Sequence, residues 1–141
     1  MKQILLKMKK KHLVIILFFL LNTLNAWSQV DRGIELFLLE DFDEAKNAFD
    51  QSISGNPDIS YYFLGEIALR KNNTTEAGNY FEKGIQADRE ALFSKIGKLK
   101  LDLKSNPEEL KKNITAITKK NRKNIPLLLA AAQAYLDNNL P

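Results

Sequence analysis

Apolar residues downstream of residue 29 recur at the three- and four-residue spacing of amphipathic helices. Ile34 and Phe37 begin the pattern, and an acidic stretch then interrupts it. The pattern restarts with Ala45, Phe49 and Ile53, four residues apart on one face, and a Gly-Asn-Pro sequence stops it. We therefore predict two short helices joined by a few residues, which together form a helical hairpin.

The hairpin pattern returns at a fixed distance of 32 residues. A glycine, an alanine and a phenylalanine recur at that spacing: Gly33, Ala45 and Phe49, then Gly65, Ala77 and Phe81, with Gly97 alone in a third unit. The spacing predicts repeats at about 29–57, 58–89 and 90–124 and a half repeat at 125–141. In the third unit the apolar positions of the second helix slip by one, which predicts a loop one residue longer. Stacked helical hairpins of this kind form an all-α solenoid, which is typically a binding scaffold.

The repeated glycines imply close packing between helices. A glycine in the middle of a helix costs roughly 1 kcal/mol relative to alanine, so a close approach of the partner helix must compensate. We expect the repeated alanines to face these glycines and the repeated phenylalanines to fill the gap between hairpins. On this basis Gly65→Leu should destabilise the protein more than Gly84→Leu.

The second unit contains the sequence Tyr61-x-x-Leu64-Gly65 with Ala68, Ala77 and Phe81, and the first unit contains Gly33, Ala45, Phe49 and Pro57. Both resemble the tetratricopeptide repeat. The spacing of 32 departs from the family's usual length of about 34 residues, and Gly84 and Ser52 stand where the family prefers alanine. The resemblance covers nearly all of 29–141. It implies a right-handed superhelical solenoid of antiparallel helix hairpins, in which the first helix of each hairpin lines a concave groove.

Transferred to this chain, the resemblance implies a groove for a protein or peptide. Its candidate residues are Ile34, Phe37, Tyr62, Glu66, Leu69, Arg70, Ser94, Lys98 and Gln133. Such a surface suits an extended peptide or a helix, with apolar contacts at one end and charge-assisted hydrogen bonds from Arg70 and Lys98 further along. For each single residue, a purely structural role remains an equally open alternative.

The first 28 residues have a different composition. The first twelve contain five lysines and no acidic residue, and an apolar run from Leu13 to Leu24 follows. Small residues at Ala26 and Ser28 complete the layout of a secretory signal peptide, and we expect cleavage between Ser28 and Gln29. An uncleaved membrane anchor is the alternative. As a helix, however, the apolar run would reach roughly 18 Å against a hydrocarbon core of about 30 Å.

The predicted signal also accounts for the basic character of the chain. The whole sequence has 21 Lys and Arg against 17 Asp and Glu, but residues 29–141 have 16 against 17, which does not argue for nucleic acid. Residues 29–94 contain 6 basic and 13 acidic residues, whereas 95–124 contain 10 basic and 3 acidic residues. This asymmetry indicates either two solvated helix faces or a basic end that meets an acidic partner or an anionic surface.

The side chains available for catalysis are few. The single histidine, His12, lies in the predicted signal, and the chain has no cysteine. Residues 29–141 therefore offer no imidazole base, no thiolate and no nitrogen or sulfur metal ligand, and we expect no enzyme, metal or cofactor. Without a cysteine, a lipoprotein anchor and a disulfide are also excluded. The acidic residues Glu40, Asp41, Asp43 and Glu44 lie at a turn and a helix start, where the helix dipole favours them structurally.

The last segment, Leu-Leu-Leu-Ala-Ala-Ala at 127–132, is more apolar than a terminal capping helix. We expect either further sequence beyond Pro141 or a partner that covers this face. The sequence thus predicts an exported scaffold in the envelope or periplasm of a bacterium, with a protein or peptide partner and membrane contact only through the signal or an envelope complex. The alternatives are the N-terminal repeat region of a larger envelope enzyme, such as a peptidase, and a glycan-binding surface using Tyr61 and Tyr62.

Overall fold

The computed structural model describes residues 29–102, 104 and 106–138, and within these ranges the regular structure is helical. The predicted signal at 1–28 and the end of the predicted half repeat lie outside the described residues. The helices are α1 at 29–38, α2 at Phe42–Ser52, α3 at Pro57–Arg70, α4 at Thr74–Ala87, α5 at Leu92–Asp102, α6 at Pro107–Lys120 and α7 at Ile125–Asp137. The predicted all-α helical repeat is confirmed. Among the described helices, none is both long and apolar enough to cross a membrane.

The first two hairpins turn through the same backbone conformation. Glu40 has φ 61° and Asn72, 32 residues later, has φ 59°. In both turns this left-handed residue donates its N–H to the carbonyl three residues back, and the next residue donates to the carbonyl five residues back. This pattern is the Schellman motif, which closes the end of a helix. The interval between the end of α5 and the start of α6, 103–106, is one residue longer than the intervals at 39–41 and 71–73, in agreement with the slip in the apolar pattern.

The mid-helix glycines are explained by phenylalanine rings. A Cβ atom added to Gly33 would lie 2.7 Å from the ring of Phe49, and one added to Gly65 would lie 2.3 Å from the ring of Phe81. The close approach predicted from the glycines is therefore present. The ring, and not the neighbouring alanine, occupies it. The alanines at 45 and 77 are fully buried beside these rings in the same apolar clusters.

The third hairpin packs differently from the first two. A Cβ atom added to Gly97 of α5 would lie 2.4 Å from the ring of Phe81 in the preceding helix, α4. The nearest atoms are therefore not in α6, the partner helix of the same hairpin. The second helix of this hairpin offers the smaller side chains Leu110 and Ile114, which are fully buried against Ile96. Phe81 is therefore shared by the glycines of two successive hairpins, and it ties the second repeat to the third.

Gly84 is as tightly packed as the repeated glycines. A Cβ atom added to Gly84 would lie 2.0 Å from Ser94 Oγ and 2.8 Å from Ser94 Cβ. The structure thus removes the reason to expect Gly65→Leu to be more damaging than Gly84→Leu, because either side chain would enter occupied space. The sequence did not reveal this contact, since Gly84 stands outside the repeated glycine pattern.

A buried carboxylate holds the junction between the second and third hairpins. Asp58 of α3 accepts hydrogen bonds from Phe93 N at 2.9 Å and Ser94 N at 2.7 Å, at the start of α5. The Ser94 hydroxyl donates to the Asp58 carbonyl at 3.1 Å. Burial raises the pKa of Asp58, and the hydrogen bonds from Ser94 and Phe93 offset part of that rise. The carboxylate thereby satisfies N–H groups at the start of α5 that have no partner within the helix.

Candidate interaction groove

The first helices of successive hairpins line one cavity of about 310 Å³, called here the apolar cavity. Its lining residues come from α1, α3, α5 and α7: Ile34, Phe37, Leu38, Tyr62, Phe63, Glu66, Arg70, Phe93, Ile125, Pro126, Leu129, Ala130 and Gln133. A second cavity of about 650 Å³, called here the polar cavity, shares Glu66 and Arg70 with it and lies between the ends of α3, α5 and α7. Together the two cavities form a groove along the first helices of the hairpins.

The structure brings together most of the residues expected in a groove. Ile34, Phe37, Tyr62, Glu66, Arg70 and Gln133 line the apolar cavity. Leu69 lies in the adjoining polar cavity.

Two candidate residues of α5 lie elsewhere. Ser94 is fully buried against α3 and does not line the groove. Lys98 lies in a separate depression between α5 and α6, where it forms an ion pair with Asp102 at 3.1 Å.

The rotation of α5 explains these two misplaced residues. Phe93 and Lys100 face the cavities where the repeat spacing places Ser94 and Lys98. Phe93 and Lys100 are seven residues apart and so share one helix face, and Phe93 is turned from Ser94 by the roughly 100° between successive residues of a helix. The backward contact of Gly97 with Phe81 sets this rotation. The one available sequence signal was an aromatic residue 32 positions after Tyr61, namely Phe93.

The floor of the apolar cavity is a continuous group of aromatic rings. Phe63 stacks on Phe49 with ring centroids 4.8 Å apart, and it meets Phe37 edge to face at 5.3 Å. Tyr62 lies 5.8 Å from Phe93, and only 4% of its surface is exposed. Burial raises the pKa of Tyr62 well above its ordinary value, so the phenol stays neutral at physiological pH. A ring this deeply buried presents little face for stacking on a sugar.

Arg70 lies between the two cavities. Its guanidinium carbon is 5.8 Å from the centroid of the Phe37 ring, which is within the range of a cation–π contact. Arg70 lines both cavities and is exposed. Arg70 takes part in none of the ion pairs between described residues. The aromatic ring therefore orients a cation whose hydrogen-bond donors remain available to a ligand.

A buried ionic network separates the two cavities. Lys100 Nζ lies 2.5 Å from Glu66 Oε1 and 2.9 Å from Asp137 Oδ2, and Gln133 Nε2 donates to Asp137 Oδ1 at 2.7 Å. Lys100 and Glu66 are 5% and 4% exposed. This network joins α3, α5 and α7 beneath the groove. The sequence did not indicate Lys100, because its counterpart 32 residues earlier is the apolar Ala68.

Burial raises the pKa of both carboxylates of the network, whereas the neighbouring Lys100 lowers the pKa of both, and the balance differs between them. Burial raises the pKa of Glu66, and the neighbouring Lys100 lowers it by less, so the pKa of Glu66 stays above its ordinary value. Burial also raises the pKa of Asp137, but the hydrogen bonds from Lys100 and Gln133 outweigh it and bring the pKa below its ordinary value. At neutral pH Asp137 is therefore the better stabilised anion.

The acidic stretch between α1 and α2 has structural contacts. Asp41 accepts a hydrogen bond from Glu44 N and caps α2, and Asp43 pairs with Lys71 of the next loop at 2.8 Å. The hydrogen bond from Lys71 lowers the pKa of Asp43. Within the described part of the chain, no group of three or more His, Cys, Asp or Glu side chains is arranged to hold a metal ion.

Comparison with protein families identifies the repeat. Residues 58–90, which span α3 and α4, match the family model of the tetratricopeptide repeat. Neither the curated proteins nor the solved structures include a match to the chain. The matched repeat and the all-α fold support a tetratricopeptide repeat protein, and such repeats are typically non-catalytic modules that bind other proteins.

Proposed function

We propose that this protein is an exported, non-catalytic scaffold of the bacterial envelope that binds a segment of another protein in the groove. The observation that carries the proposal is the apolar cavity with an oriented arginine at its rim. Tetratricopeptide repeats support the role of an interaction scaffold. The export step rests on the composition of residues 1–28.

The groove indicates the chemistry of the bound segment. Three large apolar side chains at the cavity, Leu38, Ile125 and Leu129, are 74%, 61% and 66% exposed. Clustered exposed apolar residues are typical of an interaction site. A suitable segment places a large apolar side chain on the aromatic floor and a carboxylate on Arg70, which forms charge-assisted hydrogen bonds with it. We therefore propose an acidic segment with at least one aromatic or aliphatic anchor.

The experiment is a selection of peptides from a random display library on the full chain. The selected peptides are then measured by fluorescence anisotropy against Arg70→Ala and Leu129→Asp. Arg89→Ala and Leu136→Asp are the matched controls, because Arg89 is also an exposed cation and Leu136 is a 70% exposed leucine of α7, and neither lines the apolar cavity.

We expect both groove variants to weaken binding by about tenfold or more, Arg70→Ala because it removes a hydrogen bond to a charged group and Leu129→Asp because it puts a charge in place of an apolar contact, while the controls bind normally. Peptides that bind the groove variants and the controls equally well would refute the proposal.

Export is tested separately. Envelope-fraction protein whose N-terminus is Gln29 supports it, and cytoplasmic protein that retains 1–28 contradicts it.

A further inference from the structure

We propose that this protein associates with itself head to tail: the acidic turn between α1 and α2 of one copy binds the basic groove between α5 and α6 of the next copy. The basic groove is the depression of about 480 Å³ that contains Lys98. It has an aliphatic floor and lysines along its edges, with Ile85, Leu99 and Ile117 in the floor and Lys95, Lys98 and Lys120 at the edges. It lies apart from the groove of the proposed function and shares no lining residue with it.

The basic groove is open because α6 has an asparagine where α4 has a tyrosine. In the second hairpin, Tyr80 of α4 packs beside Tyr61 with ring centroids 6.4 Å apart. Counted from the capping asparagine of each helix, the counterpart of Tyr80 in α6 is Asn113, which lines the basic groove. The shorter asparagine cannot cover the aliphatic residues beneath it, so a recess remains where the previous repeat is filled.

The basic groove has a large excess of positive charge. Beyond its three edge lysines, the end of α6 and the turn after it add Lys119, Arg122 and Lys123 around an adjoining cavity. Lys98 pairs with Asp102, and the Lys95 ammonium donates to the Glu90 carbonyl. Among the described residues, none of the cations of 119–123 forms an ion pair. A ligand for this surface must therefore bring carboxylates as well as an apolar side chain.

The turn between α1 and α2 has this complementary chemistry. Leu39 is 71% exposed and, unlike Leu38, does not line the apolar cavity. Exposed Glu40 and Glu44 follow it, together with Asp43, whose side chain is 89% exposed. The Schellman hydrogen bonds hold the turn in one conformation before binding, which reduces the entropy lost in the complex. One leucine surrounded by carboxylates fits an aliphatic recess surrounded by lysines.

A second copy of the chain fits the basic groove better than a membrane does. The aliphatic floor is half-buried and recessed between two helices, whereas insertion into a lipid interface requires an apolar face that can enter the headgroup boundary.

The turn belongs to the first hairpin and the basic groove to the third. Each bound copy therefore leaves one free turn and one free groove, so this heterologous contact extends into a chain of copies unless its rotation closes a ring.

The experiment is sedimentation of the full chain over a range of protein and salt concentrations. We expect the mass to rise with protein concentration and to fall with added salt, because salt screens the charge contacts. A turn variant, Leu39→Lys, and a groove variant, Lys98→Glu with Lys120→Glu, should each be monomeric. Leu136→Lys and Lys112→Glu are the matched controls, since both residues are exposed and neither lies in the basic groove. Circular dichroism establishes that every variant keeps its helical content.

Mixing the two variants provides the decisive observation. The turn variant keeps an intact groove and the groove variant keeps an intact turn, so the equimolar mixture should form a one-to-one dimer and no larger species. A mixture that stays monomeric, or a wild-type chain that stays monomeric at every concentration, would overturn the proposal. Binding of a monomeric wild-type chain to anionic vesicles, lost in the groove variant, would assign the basic groove to a membrane surface instead and would also overturn it.

Discussion

Replacement of Gly65 by alanine tests the packing of the repeats most directly. The ring of Phe81 is fully buried between Gly65 of α3 and Gly97 of α5. A Cβ atom at Gly65 would lie 2.3, 2.7 and 2.8 Å from three ring carbons. Because a Cβ atom at Gly97 would also lie 2.4 Å from this ring, the backbones of two helices confine it.

Gly78 of α4 supplies the matched control. It is also a helical glycine, but the nearest atom to its added Cβ is Leu101 Cδ1 at 3.8 Å, which is an ordinary van der Waals contact. Both replacements gain the helix propensity of alanine over glycine, worth about 1 kcal/mol. Only Gly65→Ala also overpacks the core, which costs roughly 1–3 kcal/mol. The difference between the two variants therefore isolates the overpacking cost.

We expect Gly78→Ala to raise the free energy of unfolding by about 0.5–1 kcal/mol. The free energy of unfolding of Gly65→Ala should lie roughly 1–3 kcal/mol below that of Gly78→Ala. In a domain of this size that difference corresponds to roughly 4 °C in Tm for each kcal/mol. Urea and thermal denaturation followed by circular dichroism measure both values. Adding Phe81→Leu should reduce the penalty of Gly65→Ala, because the smaller side chain leaves room for the new methyl group. Equal stabilisation by Gly65→Ala and Gly78→Ala would refute the packing argument.

Three further variants test local features of the structure. Glu40→Gly should stabilise the protein by about 1 kcal/mol, because Glu40 occupies a left-handed conformation that glycine adopts without strain; an unchanged urea midpoint would contradict this. Lys100→Met should destabilise the protein by about 3–5 kcal/mol, since it leaves the buried carboxylate of Glu66 unpaired. That loss should diminish as the pH falls, because Lys100 lowers the pKa of Glu66 and its removal raises that pKa further, so protonation at low pH neutralises the unpaired charge of the variant; a loss independent of pH would contradict it. Asp58→Ala should cost about 2–3 kcal/mol, because two N–H groups at the start of α5 lose a charged acceptor, and a loss below 0.5 kcal/mol would contradict that role.

The sequence by itself determined the repeated hairpins and their spacing. The 32-residue recurrence of glycine, alanine and phenylalanine predicted the hairpins. The structure supplies the physical reason for the glycines, since a ring can approach a helix backbone this closely only where no Cβ stands. The one-residue slip of the apolar positions likewise predicted the longer loop before α6. These features depend on spacing along the chain, which the sequence contains directly.

Only the tertiary structure decided which face of α5 meets the groove. The repeat spacing placed Ser94 and Lys98 there, but α6 offers no aromatic ring to Gly97, so α5 turns towards Phe81 and presents Phe93 and Lys100 instead. The ion pairs of Lys100 with residues 34 positions before and 37 positions after it depend on that rotation. A periodic pattern specifies which residues share a helix face, but the direction of that face depends on the side chains that its neighbours supply.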